Sequence, residues 1–144
     1  MQPLDGSESL VIDCSVTMAW YFKDEATPYT NAVRAGLATE RAAVPALWPL
    51  EVANVLLMGE RRKRSTQTKA TKWLRFLSAL PIAVDTQTPG LAFDPILDLA
   101  RSHKLTAYDA AYLELAKRRG LPLATLDAEL RAAAKREKVT LLGI

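Results

Sequence analysis

The stretch Ser9-Leu10-Val11-Ile12-Asp13-Cys14-Ser15 is a short apolar run, rich in β-branched residues, that ends on a carboxylate. Such a run predicts a buried strand of a parallel sheet, here over about residues 9–13. Asp13 then lies where the strand leaves the core. In open α/β sheets, ligands bind in the crevice beyond the carboxyl ends of the strands. An acid at this place is therefore a candidate functional residue.

The composition indicates one globular domain over residues 1–144, with residues 1–8 as a flexible lead-in. No apolar run approaches the ~20 residues that a membrane helix needs. The first residues lack the basic and apolar parts of a signal peptide. Cys14 is the single cysteine, so neither an internal disulfide nor a cysteine-based zinc site is expected. These features predict a cytoplasmic protein.

Strand-like and helix-like segments alternate along the chain. The predicted strands cover residues 9–13, 42–46, 81–85, 121–125 and 139–142. The predicted helix starts lie at Ser15, Thr27-Pro28, Trp48-Pro49, Ser65 or Thr66, Thr88-Pro89, Thr106 and Asp127, where Ser, Thr and Asp are favoured caps and Pro suits a first turn. This alternation predicts a three-layer α/β/α sandwich with a mainly parallel central sheet of about five strands.

Four acids are expected at one edge of this sheet: Asp13, Glu51, Asp109 and Asp127. Asp13 and Asp127 follow predicted strands, whereas Glu51 and Asp109 lie in the first turns of predicted helices. The carboxyl ends of parallel strands and the starts of the following helices share an edge, which Asp109 joins if its helix starts there. Four carboxylates gathered there would repel one another, and a purely oxygen ligand set favours a hard cation, Mg²⁺ or Mn²⁺.

A structural explanation exists for three of the acids taken singly. Thr106 and Asp109 fit the spacing of a capping box, Asp127 is a good N-cap, and Glu51 suits a helix dipole. Only the set of four argues for function. Nearby polar side chains are candidates to orient the carboxylates or to hold water beside them: Ser15, Asn54, Thr106 and Thr125.

A run of cations follows the third predicted helix, in a chain whose formal net charge is +3. Its members are Arg61, Arg62, Lys63, Arg64, Lys69 and Lys72. Such a basic stripe attracts phosphate backbones. A solvated helix end that suits the macrodipole, or a docking surface for an acidic partner, explains the same run.

Four segments together resemble the PIN domain and, more narrowly, the VapC-type toxins of bacterial and archaeal toxin–antitoxin pairs. They are Val11-Ile12-Asp13-Cys14-Ser15, Glu51-x-x-Asn54, Leu105-Thr106-Ala107-Tyr108-Asp109-Ala110-Ala111-Tyr112-Leu113-Glu114-Leu115-Ala116, and Leu123-Ala124-Thr125-Leu126-Asp127. Their order and spacing match the family over nearly the whole chain. No acidic position departs from the family pattern.

The resemblance implies a metal-dependent endoribonuclease, a hydrolase in which metal-activated water leaves 5′-phosphate and 3′-hydroxyl ends. Asp13 and Asp109 would be the principal Mg²⁺ ligands, with Glu51 and Asp127 completing the acidic pocket. The basic stripe would then bind RNA. The family also implies a homodimer and a cognate antitoxin that binds an apolar groove, in a heterotetramer or larger assembly. Candidate apolar contacts are Trp20, Tyr21, Phe22, Trp48 and Leu57.

Other classes of protein fit less well or stay open. His103 is the only histidine and is expected on the surface, so a metal-free ribonuclease with a histidine pair in one chain is excluded. A haloacid-type phosphatase would need a second Asp at Ser15, and a receiver domain would need a Lys near Leu141. A non-catalytic RNA- or protein-binding module with the same fold stays open.

Overall fold

The centre of the fold is a four-stranded sheet in which β1 lies between β2 and β4, in the order β3-β2-β1-β4. The computed structural model describes residues 1–143. All three strand pairings are parallel. The strands are β1 Leu10–Ile12, β2 Ala42–Pro45, β3 Ile82–Asp85 and β4 Leu123–Ala124. The apolar run at residues 10–12 is thus one of the two inner strands.

Helices flank the sheet, as the alternation of segments predicts. They are α1 Cys14–Ala19, α2 Pro28–Gly36, α3 Trp48–Arg61, α4 Gln67–Ala79, α5 Thr88–Leu91, α6 Leu97–His103, α7 Ala107–Arg119 and α8 Ala128–Arg136. A 3₁₀ turn, Lys23–Glu25, precedes α2. The α/β class with a parallel sheet is confirmed.

Three details of the predicted elements are wrong. The fifth strand at 139–142 is reduced to one bridge between Leu123 and Leu141, so residues 1–143 form four strands and not about five. Asp13, not Ser15, caps α1. The helix expected after Thr88 is interrupted by a π-helical segment, Ala92–Ile96. That segment contains Pro95, which lacks an N–H and clashes with the preceding turn.

Helix α7 is buried on every side rather than along one stripe. Seven consecutive residues, Ala110–Ala116, are buried, Glu114 included. The helix packs on β1, β2 and β4 and on the neighbouring helices α6 and α8. It therefore has little freedom to shift, and the residues of its first turn are fixed relative to the sheet.

Residues 1–8 contact the edge strand β3 and the residue that precedes β2. Pro3 forms a parallel bridge to Val84, whose N–H donates to the carbonyl of Gln2. Glu8 is buried and accepts from Arg41 Nε at 3.0 Å. The flexibility expected for residues 1–8 stays a prediction. Across residues 1–143 no helix has the length and apolarity to cross a membrane.

Candidate active site

Asp13 follows β1 directly and is held by three hydrogen bonds. Its Oδ1 accepts from Ser15 Oγ at 2.6 Å and from the Val16 N–H at 3.0 Å. Its Oδ2 accepts from Thr125 Oγ1 at 2.5 Å. Only 5% of Asp13 is exposed. The register explains the third bond, because Ile12 pairs with Ala124 and the next residues of the two parallel strands come side by side.

The loop after β4 is tied to the same point. Thr125 Oγ1 accepts from the Asp127 N–H at 3.0 Å, and the Leu126 N–H donates to Ser15 Oγ at 3.2 Å. Asp127 caps α8, where its Oδ2 accepts from the Leu130 N–H at 2.8 Å. Ser15 and Thr125 therefore connect Asp13 to the loop that carries Asp127.

Glu51 lies in the first turn of α3 and is bound by a tyrosine of α7. The hydroxyl of Tyr112 donates to Glu51 Oε1 at 2.5 Å. Tyr112 is 1% exposed. No role for Tyr112 was predicted from the sequence. It lies one helical turn after Asp109 in α7.

Asp109 lies in the first turn of α7 and is partly buried. Its N–H donates to Thr106 Oγ1 at 3.1 Å, so Thr106 caps the helix. This cap fixes the backbone at Asp109.

The four acids share one electrostatic neighbourhood. Burial raises the pKa of Asp13, hydrogen bonds from Ser15 and Thr125 oppose the rise, and the charge of Asp127 adds to it. Burial likewise raises the pKa of Asp109, and the charges of Asp127 and Asp13 raise it further. Burial also raises the pKa of Glu51, where the Tyr112 hydroxyl opposes and the charges of Asp109 and Asp13 add to the effect. Repulsion among these groups favours a compensating cation.

The donor set fits a hard cation in its chemistry, since every candidate ligand is a carboxylate oxygen. Among the described residues, 1–143, no three acidic, histidine or cysteine side chains converge closely enough to hold an ion as they stand. Glu51 and Asp109 are only partly buried. Asp13 is more deeply buried than either.

Cys14 adjoins Asp13 but is no nucleophile. Burial raises the pKa of its thiol to about 12, and the charges of Glu51, Asp13 and Glu25 contribute. The thiol is therefore protonated near neutral pH, and the reactive form of a cysteine is the thiolate.

An apolar cleft of about 580 Å³ opens beside Glu51. Its lining is Leu47, Leu50, Glu51, Ala53, Asn54, Leu57 and Tyr108. Asn54 is exposed there, and Leu50 and Leu57 are 75% and 43% exposed. Of the five apolar contacts expected for a partner, Trp20, Phe22 and Trp48 are instead buried in the core. Leu57 is exposed, and Tyr21 is partly buried.

The basic stripe is exposed, but one member is already paired. Arg64 bonds Asp24 at 2.9 Å and Glu25 at 3.1 Å, and its guanidinium stacks 4.1 Å from the centre of the Phe22 ring. The other members are exposed: Arg61, Arg62, Lys63, Lys69 and Lys72. His103, expected on the surface, instead has a side chain that is 7% exposed and contacts Glu137 Oε2 at 2.7 Å.

Comparison with known proteins identifies the family of this chain. A model of the PIN domain matches residues 10–136. The chain is 32% identical over 121 residues to Ribonuclease VapC3 of Pyrobaculum aerophilum, covering 84% of this chain and 91% of that protein. The chain therefore belongs to the PIN domain family and is of the VapC type.

Solved structures show the same fold. The crystal structure of PAE2754 from Pyrobaculum aerophilum superposes with a TM-score of 0.63 at 25% identity, covering 88% of this chain and 80% of that one. A toxin–antitoxin complex from Klebsiella pneumoniae contains a chain with a TM-score of 0.55 at 18% identity, covering 83% of this chain and 87% of that one. The second likeness concerns the fold alone.

Proposed function

We propose that this chain is an endoribonuclease, the toxin of a toxin–antitoxin pair, and that Asp13, Glu51, Asp109 and Asp127 form its active site. The observation that carries the proposal is the position of the four acids: Asp13 and Asp127 follow the paired parallel strands β1 and β4, and Glu51 and Asp109 lie in the first turns of α3 and α7. They lie where ligands bind in parallel sheets. Its relative of the VapC type is named a ribonuclease, which supports RNA as the substrate.

A divalent cation is the cofactor, Mg²⁺ by preference and Mn²⁺ as a substitute. Asp13 and Asp109 would be its principal ligands, with Glu51 and Asp127 completing the pocket. The cation would polarise the scissile phosphate and lower the pKa of a bound water toward ~7. The chain's own contribution is to hold Asp13 rigidly through Ser15 and Thr125. Cleavage by water in this way leaves 5′-phosphate and 3′-hydroxyl ends.

The RNA backbone binds along the exposed part of the basic stripe. Lys69 and Lys72 lie three residues apart on α4 and share a face, and Arg61 to Lys63 adjoin the end of α3. Arg64 contributes less, because Asp24 and Glu25 already neutralise it. Each phosphate contact should steepen the salt dependence of binding.

An antitoxin binds the apolar cleft beside Glu51. Leu50 and Leu57 supply exposed apolar surface for a partner helix, and the adjacent acids would attract a basic side chain from it. A homodimer, and a heterotetramer or larger assembly with the antitoxin, complete the proposal. The Klebsiella pneumoniae structure with a similar fold is a toxin–antitoxin complex.

Two measurements test the activity. Expression of the wild type in bacteria should arrest growth and yield RNA fragments with 5′-phosphate ends, whereas Asp109→Ala should do neither. Asp94→Ala, which removes an exposed acid outside the site, is the matched control and should behave as the wild type. Equal growth arrest by wild type and Asp109→Ala would refute catalysis by this site.

Metal binding is tested without turnover. Mg²⁺ or Mn²⁺ should raise the melting temperature of the wild type and leave that of Asp13→Asn unchanged. No shift in either protein, together with intact RNA, would favour the non-catalytic binding module.

A further inference from the structure

We propose that Tyr112 is a positioning residue, which ties Glu51 to the helix that carries Asp109 and so sets the separation of these two carboxylates. The inference rests on the proposed function, because it concerns how the chain prepares a cation site. The observation behind it is a hydrogen bond between two elements that are distant in sequence, from the Tyr112 hydroxyl to Glu51 Oε1.

Tyr112, which donates this hydrogen bond, is held rigidly. Tyr112 is 1% exposed, belongs to the main core and lies in the middle of α7. Asp109 lies one turn earlier on the same helix, and residues three apart in a helix are neighbours on its surface. A carboxylate bonded to Tyr112 is therefore held at a fixed place relative to Asp109.

Among residues 1–143, no other hydrogen bond restrains the Glu51 carboxylate. Within residues 1–143 the Tyr112 hydroxyl is the one side-chain or backbone donor to the Glu51 carboxylate. Asp13, by contrast, accepts from Ser15, Val16 and Thr125. Glu51 also has more rotatable bonds than Asp13, so its orientation depends on the tyrosine.

The hydrogen bond from Tyr112 keeps Glu51 near Asp109, whereas charge repulsion would drive the two acids apart. Like charges on Glu51 and Asp109 repel, and the partly buried Glu51 can turn toward solvent to relieve the repulsion. A hydrogen bond to a charged acceptor is among the stronger ones that a protein makes. Loss of partners that orient metal ligands typically weakens metal affinity about 10- to 100-fold.

The experiment measures Mn²⁺ affinity of the full chain by electron paramagnetic resonance of the free ion. Tyr112→Phe keeps the buried ring and removes only the hydroxyl, and it should bind Mn²⁺ about 10- to 100-fold more weakly than the wild type. Tyr21→Phe is the matched control, because it removes a hydroxyl that bonds Ser65 and no acid of the site. Its Mn²⁺ affinity should equal that of the wild type.

A second pair of variants separates positioning from a general loss of structure. If Tyr112 acts through Glu51, then Tyr112→Phe should cause no further loss of Mn²⁺ affinity in a Glu51→Gln background. An equal loss in both backgrounds would mean that the hydroxyl acts on the fold and would overturn the inference.

The outcomes also distinguish this inference from the proposed function. A wild type that binds Mn²⁺ and loses nothing in Tyr112→Phe overturns the role of Tyr112 and leaves the metal site intact. A wild type that binds no Mn²⁺ overturns both. Melting temperatures recorded for every variant show whether the chain is folded during the titration.

Discussion

Arg118 is expected to be a costly side chain to remove, because it neutralises two buried carboxylates. Its Nη2 bonds Asp85 Oδ2 at 2.5 Å, and its Nε bonds Glu114 Oε2 at 2.9 Å. The side chains of Asp85 and Glu114 are 1% and 8% exposed, against 21% for Arg118. Arg118→Met keeps most of the volume of the side chain and removes the charge.

The free-energy cost of Arg118→Met follows from the hydrogen-bond donors that each carboxylate keeps. Asp85 keeps donors from the Gln87 N–H and Thr88 Oγ1. Glu114 keeps none within residues 1–143, since both of its oxygens are bound by Arg118. Breaking a buried pair costs about 3–5 kcal/mol. The partial exposure of Arg118 favours the lower end, about 3 kcal/mol, which corresponds to a fall in melting temperature of about 6–12 °C.

The penalty should depend on pH in a defined direction. Burial acts to raise the pKa of Asp85, but hydrogen bonds from Arg118 and from the Gln87 N–H outweigh it and hold the pKa below its ordinary value. The wild type therefore loses stability as the pH falls through the folded pKa of Asp85. In Arg118→Met burial prevails and that pKa rises. The variant is then most destabilised at neutral pH, and its deficit shrinks on acidification.

Urea unfolding followed by circular dichroism measures both effects, at about pH 7 and about pH 5. Arg119→Met, which removes the exposed neighbouring cation, is the control and should change the free energy of unfolding by less than about 0.5 kcal/mol. A cost for Arg118→Met below about 1 kcal/mol, or a deficit that grows on acidification, would refute the role assigned to the buried pairs.

Three further variants probe the site and the helix ends. Thr125→Val removes the donor to Asp13 and the acceptor for the Asp127 N–H, so RNA cleavage should fall about 10- to 100-fold while Thr125→Ser recovers it. Gly120→Ala places a side chain at a φ of 64° and should lower stability by about 1 kcal/mol in urea unfolding. Lys104→Gly relieves a φ of 54° at the end of α6 and should leave stability unchanged or raise it by up to about 1 kcal/mol in the same assay.

The spacing of apolar residues and the positions of the capping residues were enough to predict four of the strands and most helix starts. Thr27, Thr66, Thr106 and Asp127 each cap the helix expected of them, because a short polar side chain before an apolar segment satisfies the free N–H groups. These are local effects, and local sequence determines them.

The misplaced elements depend on distant contacts. Ser15 is as good a cap as Asp13 by type, but Asp13 is fixed at the end of β1 and its carboxylate reaches the Val16 N–H first. Residues 139–142 have the composition of a strand and pair only through Leu141, because Leu123–Ala124 offers a two-residue edge. Strand length depends on the partner strand as much as on the segment.

The topology of a parallel sheet was enough to predict that Asp13 and Asp127 lie at one edge. It was not enough to predict the hydrogen bonds that hold the site in place. Parallel strands bring Asp13 and Asp127 to one edge whatever their side chains do. The bond from Tyr112 to Glu51 joins α7 to α3, and the pair of Arg118 with Asp85 joins α7 to the end of β3. Neither pairing has a signal in local spacing, since both depend on how α7 crosses the sheet.

The burial of α7 gives these pairings their importance. A helix that is apolar along one stripe can slide against its sheet at little cost. The central residues of α7, Ala110–Ala116, are instead buried on all sides. The helix also makes a polar contact near its start, its middle and its end. Thr106 fixes its start, Tyr112 its middle and Arg118 its end. Asp109 projects from the first turn of this fixed helix. Because Glu51 is bonded to the same helix, a shift of the backbone does little to relieve the repulsion between the two acids. Their raised pKa values are one response to that repulsion, and a bound cation would be another.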